Sequence, residues 1–253
     1  MTQLDKKPSL LRRFFAGNSY CWLSCLCTVG VMMLVFYCYN LFPFGETTIL
    51  RMDLYHQYGP LFAELYERIK HGDSLIYSWT SGLGSCFLGN YFNYLSSPLS
   101  ALVMFFGHKN ITEAIALMIL LKASLSAATF TYYLKKSQHN QSFIGVCFGL
   151  LYAFSGYMLA YYWNVMWLDA MVLLPVVLYG IERIIDNGKI GIYVTALGLT
   201  MFSNYYMSFM ICIFSCIYFF YYTVLKYDSS SVLDTEFKKD DKDLLKWFKN
   251  SRF

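Results

Sequence analysis

Six stretches of this chain are long enough and apolar enough to call for helices surrounded by lipid. A helix rises 1.5 Å per residue, so about 20 apolar residues cross a hydrocarbon core about 30 Å thick. Residues 20–42, 113–134, 143–163, 165–185, 190–203 and 205–225 meet or approach that length. The fifth is short, and Ser203-Asn204-Tyr205-Tyr206 joins it to the sixth with almost no loop. One bent helix over both would be far longer than a bilayer requires, so the pattern predicts a tight hairpin. Composition agrees. Of the 253 residues, 57% are apolar and 14% charged, whereas a soluble domain carries about 25% charge. An aromatic content of 20% excludes disorder, and a net charge of +4 does not signal nucleic acid. The expected fold class is all-α: a polytopic transmembrane helical bundle of about six spans.

Charge sets the orientation. Lys6, Lys7, Arg12 and Arg13 precede the first run, which is too long for a signal-peptide core and has no clear small-residue cleavage site. With the N-terminus in the cytoplasm, 15 of the 20 Lys and Arg fall inside, as the positive-inside rule requires. Arg51, Arg68, Lys70 and Lys109 lie in a long outer loop, and Lys122 lies in a span. A seventh crossing at 99–106 would put Lys135 and Lys136 outside, so that piece reads as interfacial or re-entrant. Residues 1–226 then form the membrane domain of a multi-pass plasma-membrane protein. Residues 227–253 form a polar tail of mixed charge, either a solvated linker or, over 238–253, an amphipathic helix on the inner leaflet. Seven of the eight Cys sit in apolar runs and read as small buried apolar residues. Only Cys86 lies in the outer loop, which therefore cannot form an internal disulfide. Asn110-Ile111-Thr112 and Asn140-Gln141-Ser142 match the glycosylation triplet, a pattern short enough to recur by chance.

The outer loop, 43–112, is the one large extramembrane segment. Loops of that length in compact proteins are functional or disordered, and this one is rich in aromatics, Gly and Asn. Leu54, Tyr58, Leu61, Phe62, Leu65, Tyr66 and Ile69 recur at helical spacing. They predict an amphipathic helix, suited to lie in the membrane interface and ended by His71-Gly72. Asp53 precedes it. Its carboxylate either caps the helix or stands as a catalytic group at the membrane surface. His56 and Gln57 follow at i+3 and i+4, on the same face of an α-helix. Trp79 and Tyr94 lie in segments rich in Tyr, Ser, Asn and Gly. They suit stacking on sugar rings, and equally an interfacial aromatic belt.

Three further polar positions lie at or near membrane depth. Lys122 falls near the middle of the second span, where a Lys costs about 2.5–3.5 kcal/mol on insertion, so pairing with an acid or with a lipid phosphate is expected. Asp169 opens the fourth span, and Asn204 and Tyr205 form the turn between the last two. The topology puts Asp53, His56, Asp169 and Asn204 on one outer face. No Walker A, no dinucleotide-binding glycine run and no HExxH is present, so nothing points to nucleotide use.

An ordered set of short motifs now stands out: Met52-Asp53-Leu54-Tyr55-His56-Gln57-Tyr58, Tyr77-Ser78-Trp79 with Gly82-Leu83-Gly84, and Tyr94 through Pro98. Leu121-Lys122-Ala123, Trp167-Leu168-Asp169-Ala170 with Leu174-Pro175, Gly180-Ile181-Glu182-Arg183 and Asn204-Tyr205-Tyr206 follow. From about residue 20 to residue 226 the chain resembles the bacterial YfhO-type membrane protein family. The resemblance implies a GT-C-like glycosyltransferase that takes a sugar from polyprenyl phosphate to a cell-envelope polymer such as lipoteichoic acid. Asp53 matches the family's first-loop acid, implying a general base on the acceptor hydroxyl. His56, Gln57, Trp79, Tyr94, Lys122, Asp169, Asn204 and Tyr205 would bind substrate, with Lys122 or an Arg opposite the leaving phosphate. No cofactor is fixed, although Asp169 would suit a divalent metal as well as an acceptor. Family members are several times longer, so this chain is expected to be an N-terminal portion. The rival expectations are a transporter or flippase for a lipid-linked envelope substrate, and a non-catalytic membrane scaffold.

Overall fold

A computed structural model describes residues 17–139 and 142–234. The cations at 6, 7, 12 and 13, the triplet beginning at Asn140 and the proposed tail helix over 238–253 lie outside them. Five helical segments are long and apolar enough to cross a membrane. The first is α1 (Ser19–Cys38). After the outer loop comes α5 (Ile111–Ser137), 27 residues or about 40 Å of helix, which exceeds the hydrocarbon core. The third is broken around Phe154-Ser155 into α6 (Phe143–Ala153) and α7 (Gly156–Tyr161). The fourth is a 3-10 turn, Val165–Trp167, running into α8 (Leu168–Asn187). The last is α10 (Tyr205–Asp234), whose apolar part ends at Tyr227.

The expected fifth span is shorter than the rest. α9 (Gly191–Ser203) has 13 residues, about 20 Å of helix, against a core of about 30 Å. It does not continue into α10, because Asn204 between them is extended (φ −163°, ψ 116°). The two run antiparallel. Tyr193 at the start of α9 touches Gly180 of α8, while Tyr218 and Tyr222 late in α10 bond to Glu182 and Asp186 near the same end of α8. A Cβ on Gly180 would stand 2.7 Å from the Tyr193 Cα, so α8 and α9 meet there at backbone distance. The hairpin expectation holds.

α1, α5 and α6 also pack through small residues. Thr131 Oγ1 lies 2.9 Å from the Ala127 carbonyl oxygen, 3.0 Å from Ser24 Oγ and 3.3 Å from the Gly145 carbonyl oxygen, and its single hydroxyl proton serves these acceptors. Gly145 and Gly149 have the four-residue spacing that lets membrane helices approach closely. A Cβ on Gly149 would lie 2.3 Å from Thr131 Oγ1 and 2.9 Å from the Ala127 carbonyl oxygen. Gly149→Val is therefore expected to force the three helices apart and to cost about 1–3 kcal/mol. Thermal unfolding of the purified protein in detergent would show this as a midpoint lower by several degrees.

The long loop between α1 and α5 is built, not draped. A π-helical turn, Leu54–Tyr58, runs into α2 (Gly59–His71), with Pro60 in its first turn and left-handed Gly72 ending it. Strands β1 (Tyr77–Ser78) and β2 (Ser85–Cys86) pair antiparallel, and α3 (Phe87–Asn90) with a second π turn follows. A 3-10 turn (Pro98–Ala101) and the five-residue α4 (Leu102–Phe106) complete it without crossing. Leu54, Tyr58, Leu61, Phe62 and Leu65 are buried in one cluster with Ile111, Ala114, Ile115 and Met118 of α5. The apolar face of α2 is thus spent on protein and not on lipid. The cysteines differ from expectation as well. All eight are free, only Cys21 is buried, and Cys38, Cys86, Cys147 and Cys216 are exposed, since the helix surfaces that carry most of them meet no other helix.

Candidate functional site

Gly17, Asn18, Lys135, Asp186 and Lys226 share one end of the bundle, where Lys135 bonds to Asn18 and Lys226 to Asp186. This is the basic end, and the long loop covers the opposite one. Where the loop meets the bundle lies a buried ion pair. Lys122 Nζ is 2.8 Å from Asp169 Oδ2 and 2.9 Å from the Val165 carbonyl oxygen. Lys122 is fully buried and the Asp169 side chain nearly so. The other Asp169 oxygen accepts from Ser97 Oγ at 3.0 Å. Three segments are tied together here: α5 through Lys122, the start of α8 through Asp169, and the loop through Ser97. Two of the three Lys122 N–H donors are engaged, so its charge acts through Asp169 and not on anything outside.

Asn204 is the second knot. Its amide donates to the Asn93 carbonyl at 3.1 Å, and its Oδ1 accepts from Met207 N at 2.9 Å, so the side chain caps α10. Ser96 Oγ donates to the Ser203 carbonyl at 2.9 Å. The α9–α10 turn is therefore bound to the Asn93–Ser96 stretch, whose next residue, Ser97, reaches Asp169.

Asp53 stands apart from both. It is exposed at the head of the π turn, and its carboxylate makes no hydrogen bond or ion pair among the described residues. The capping reading is not met. Nearby, the buried Tyr58 hydroxyl donates to Asn164 Oδ1 at 3.0 Å, and its ring meets Tyr94 edge-on at 5.6 Å. Burial, then Tyr94 and the Asp53 carboxylate, push the Tyr58 phenol well above its ordinary value of 10.0.

The remaining expected site residues are peripheral. His56 is exposed with its ring edge-on to Tyr55, and Gln57 is half-buried. Both lie in the π turn that Asp53 heads. Tyr205 is exposed. Trp79 is 79% exposed on the hairpin, edge-on to Tyr77 at 4.9 Å. Among the described residues no three His, Cys, Asp or Glu side chains lie close enough to hold a metal ion.

Two clusters escaped the sequence reading. Glu64 Oε1 accepts from Arg68 Nε at 2.9 Å, from Thr80 at 3.0 Å and from Ser78. Arg68 in turn donates to the Ser74 and Tyr77 carbonyls and lies 4.7 Å over the Phe87 ring. This clamp fixes the hairpin that carries Trp79. Burial would raise the Glu64 carboxyl, but the Ser78, Arg68 and Thr80 donors outweigh it and hold it below its ordinary 4.5. A depressed acid stabilises the fold fully above its unfolded value and loses that contribution as pH falls through the folded one. Trypsin-like cleavage after Lys70 is expected to be slow at neutral pH. Glu64→Gln should speed it several-fold, and hydrogen exchange in 73–86 should converge in wild type and variant as pH falls through the folded value of Glu64, which lies below 4.5. The second cluster lies toward the basic end. Buried Glu182 accepts from Tyr133 at 3.1 Å, Ser137 at 2.8 Å and Tyr218 at 2.6 Å. Its signal was the Gly180-Ile181-Glu182-Arg183 motif.

A family model described as "Bacterial membrane protein YfhO" matches residues 24–248. No curated protein and no solved structure matches the chain.

Proposed function

The chain belongs to the YfhO family of bacterial membrane proteins, and from that premise we propose that it serves glycosyl transfer from a polyprenyl-phosphate sugar to a cell-envelope polymer such as lipoteichoic acid. The observation that carries this reading is the free, exposed carboxylate of Asp53, carried by the loop that the buried Lys122–Asp169 pair holds through Ser97. An acceptor hydroxyl is a poor nucleophile until a base takes its proton in the transition state. Asp53 is the proposed base. The acceptor oxygen bonds to the anomeric carbon, the bond from that carbon to the carrier's phosphate oxygen breaks, and the phosphate leaves with the electron pair. Lys122 and Asp169 are positioning residues in this scheme. The pair holds Ser97, and with it the loop segment that runs back to Tyr94. The loop end faces outward in this reading, with the N-terminus in the cytoplasm.

The test uses cells lacking the gene. Polyprenyl-phosphate-linked sugar, measured by mass spectrometry, is expected to accumulate and to be cleared by the wild-type gene. A pool that does not respond to the gene rules the transferase out.

One observation favours a second reading. A transporter of a lipid-linked substrate requires polar groups through the depth of the bundle, and buried Glu182 with Tyr133, Ser137 and Tyr218 supplies a set beyond Lys122. Under that reading Glu182→Gln abolishes function while Asp53→Asn does not. Under the transferase reading the order reverses.

A further inference from the structure

Residues 74–107 hold no Asp, Glu, Lys or Arg, although the chain as a whole is 14% charged. The charged residues of the long loop all fall in 46–73 and at Lys109. The uncharged stretch opens on the β1–β2 hairpin, which is built inside out for a hairpin in water. Its register pairs Tyr77 with Cys86 and Ser78 with Ser85. Side chains alternate between the two faces of a strand, and a sheet with one wet face turns its polar side outward. Here the polar pair is inside. Ser78 is buried against Glu64, and Ser85 Oγ is buried as well. Tyr77 and Cys86 are exposed, and beside them stand Ile76, Trp79 and Leu83, the last wholly exposed. The hairpin thus spends Ser78 and Thr80 on Glu64 and turns its apolar side chains away from the protein. That apolar surface is continuous with the bundle. Leu88 N donates to the Ile76 carbonyl at 3.4 Å. Phe92, one turn further, is half-exposed and meets the Phe202 ring edge-on at 6.0 Å. Phe202 is half-exposed too and lies in the last turn of α9, a bundle helix whose Val194 and Leu199 are also exposed.

We propose that the hairpin is a membrane-interface anchor, with Ile76, Trp79 and Leu83 set among the glycerols and upper acyl chains of the leaflet on the loop side. A segment without charge leaves water at little cost. Trp and Tyr, apolar bodies with one polar handle, suit that depth. A two-stranded hairpin does not pair all of its own backbone groups, so it stops at the interface and stays out of the hydrocarbon core. A protein partner fits poorly, because a stable interface uses about 20–30 residues a side and the hairpin offers a handful. A sugar could stack on Trp79, but Ile76 and Leu83 would give its hydroxyls no partner. The apolar face of α2, suited by its pattern to the interface, is covered by α5, and the hairpin takes that place. The Glu64–Arg68 clamp joins the hairpin to α2, whose other end is the π turn headed by Asp53. The anchor thereby fixes the loop against the membrane, whether or not the chain transfers a sugar.

The test follows Trp79 fluorescence in the full chain in phosphatidylcholine nanodiscs, taken as the difference between wild type and Trp79→Phe. Phosphatidylcholine brominated near the top of its acyl chains quenches from the membrane, and acrylamide quenches from water. Trp79 is expected to be quenched by the brominated lipid and shielded from acrylamide. Ile76→Asp combined with Leu83→Asp should abolish the lipid quenching and raise the acrylamide quenching several-fold. The thermal midpoint should not move, since both side chains point away from the protein. The hairpin carries no Lys or Arg, so added salt or phosphatidylglycerol should leave the lipid quenching unchanged. A second arm places the photocrosslinker benzoylphenylalanine at Leu83 in cells and reads the adduct by mass spectrometry, with phospholipid the expected product. Trp79 open to acrylamide and untouched by brominated lipid overturns the proposal, as does lipid quenching that persists in the double variant. A crosslink from position 83 to a second copy or to another protein, without a lipid adduct, overturns it in favour of a protein contact.

Discussion

Asp53→Asn is expected to leave the protein folded and to abolish its ability to clear the lipid-linked sugar, with a rate loss of about 100- to 10,000-fold, the range for removing a general base. The expectation of normal folding comes from the geometry. Asp53 is exposed and makes no hydrogen bond or ion pair among the described residues, so the amide removes no contact. Its one electrostatic effect on a neighbour, raising the Tyr58 phenol, is relieved by the substitution. The measurement pairs the cellular sugar pool with the thermal midpoint of the purified variant. An unchanged midpoint with an uncleared pool supports Asp53 as the base. If Asp53→Asn clears the pool as well as wild type, the general base lies elsewhere, and a scaffold or transporter gains ground.

The second large effect is on stability. Lys122→Met leaves the Asp169 carboxylate buried beside Ser97 and without its cation. Removing one member of a buried ion pair costs about 3–5 kcal/mol, because the remaining charge is uncompensated. The single variant is expected to express poorly or to unfold well below wild type in detergent. Lys122→Met combined with Asp169→Asn removes both charges, while the amide still accepts from Ser97. The double variant should recover most of the lost stability. Transfer should remain impaired in it if the pair positions the loop, since nothing charged then ties α5 to α8. Full activity in the double variant would reduce the pair to a structural staple.

Much of the fold was legible because lipid imposes a length on each span. The long apolar runs became helices close to the expected bounds. The run at 190–203 did too, although 13 residues do not reach across the core. The path of the outer loop was less visible. Periodicity found the apolar face of α2 but could not say whether lipid or α5 would cover it, because both are apolar. It also could not see that Leu54–Tyr58 would widen into a π turn. In the site, Lys122 and Asp169 were singled out by the expense of charge in a membrane, and they found each other. Ser97 carried no such signal. Serine is ordinary in loops, and only three-dimensional closure makes its hydroxyl a tether. Glu64 and Arg68 read as the polar side of a helix, yet the hairpin folds back over them.

The Lys122–Asp169 pair also sets an order of events during synthesis. The ribosome delivers α5 to the membrane well before α8, since the two partners lie 47 residues apart. Until α8 arrives, the cation of α5 has no counter-ion in the bilayer, and an isolated Lys at mid-span opposes insertion by about 2.5–3.5 kcal/mol. The arrival of Asp169 supplies that counter-ion. A nascent chain cut short before α8 is expected to carry an unneutralised charge at mid-span.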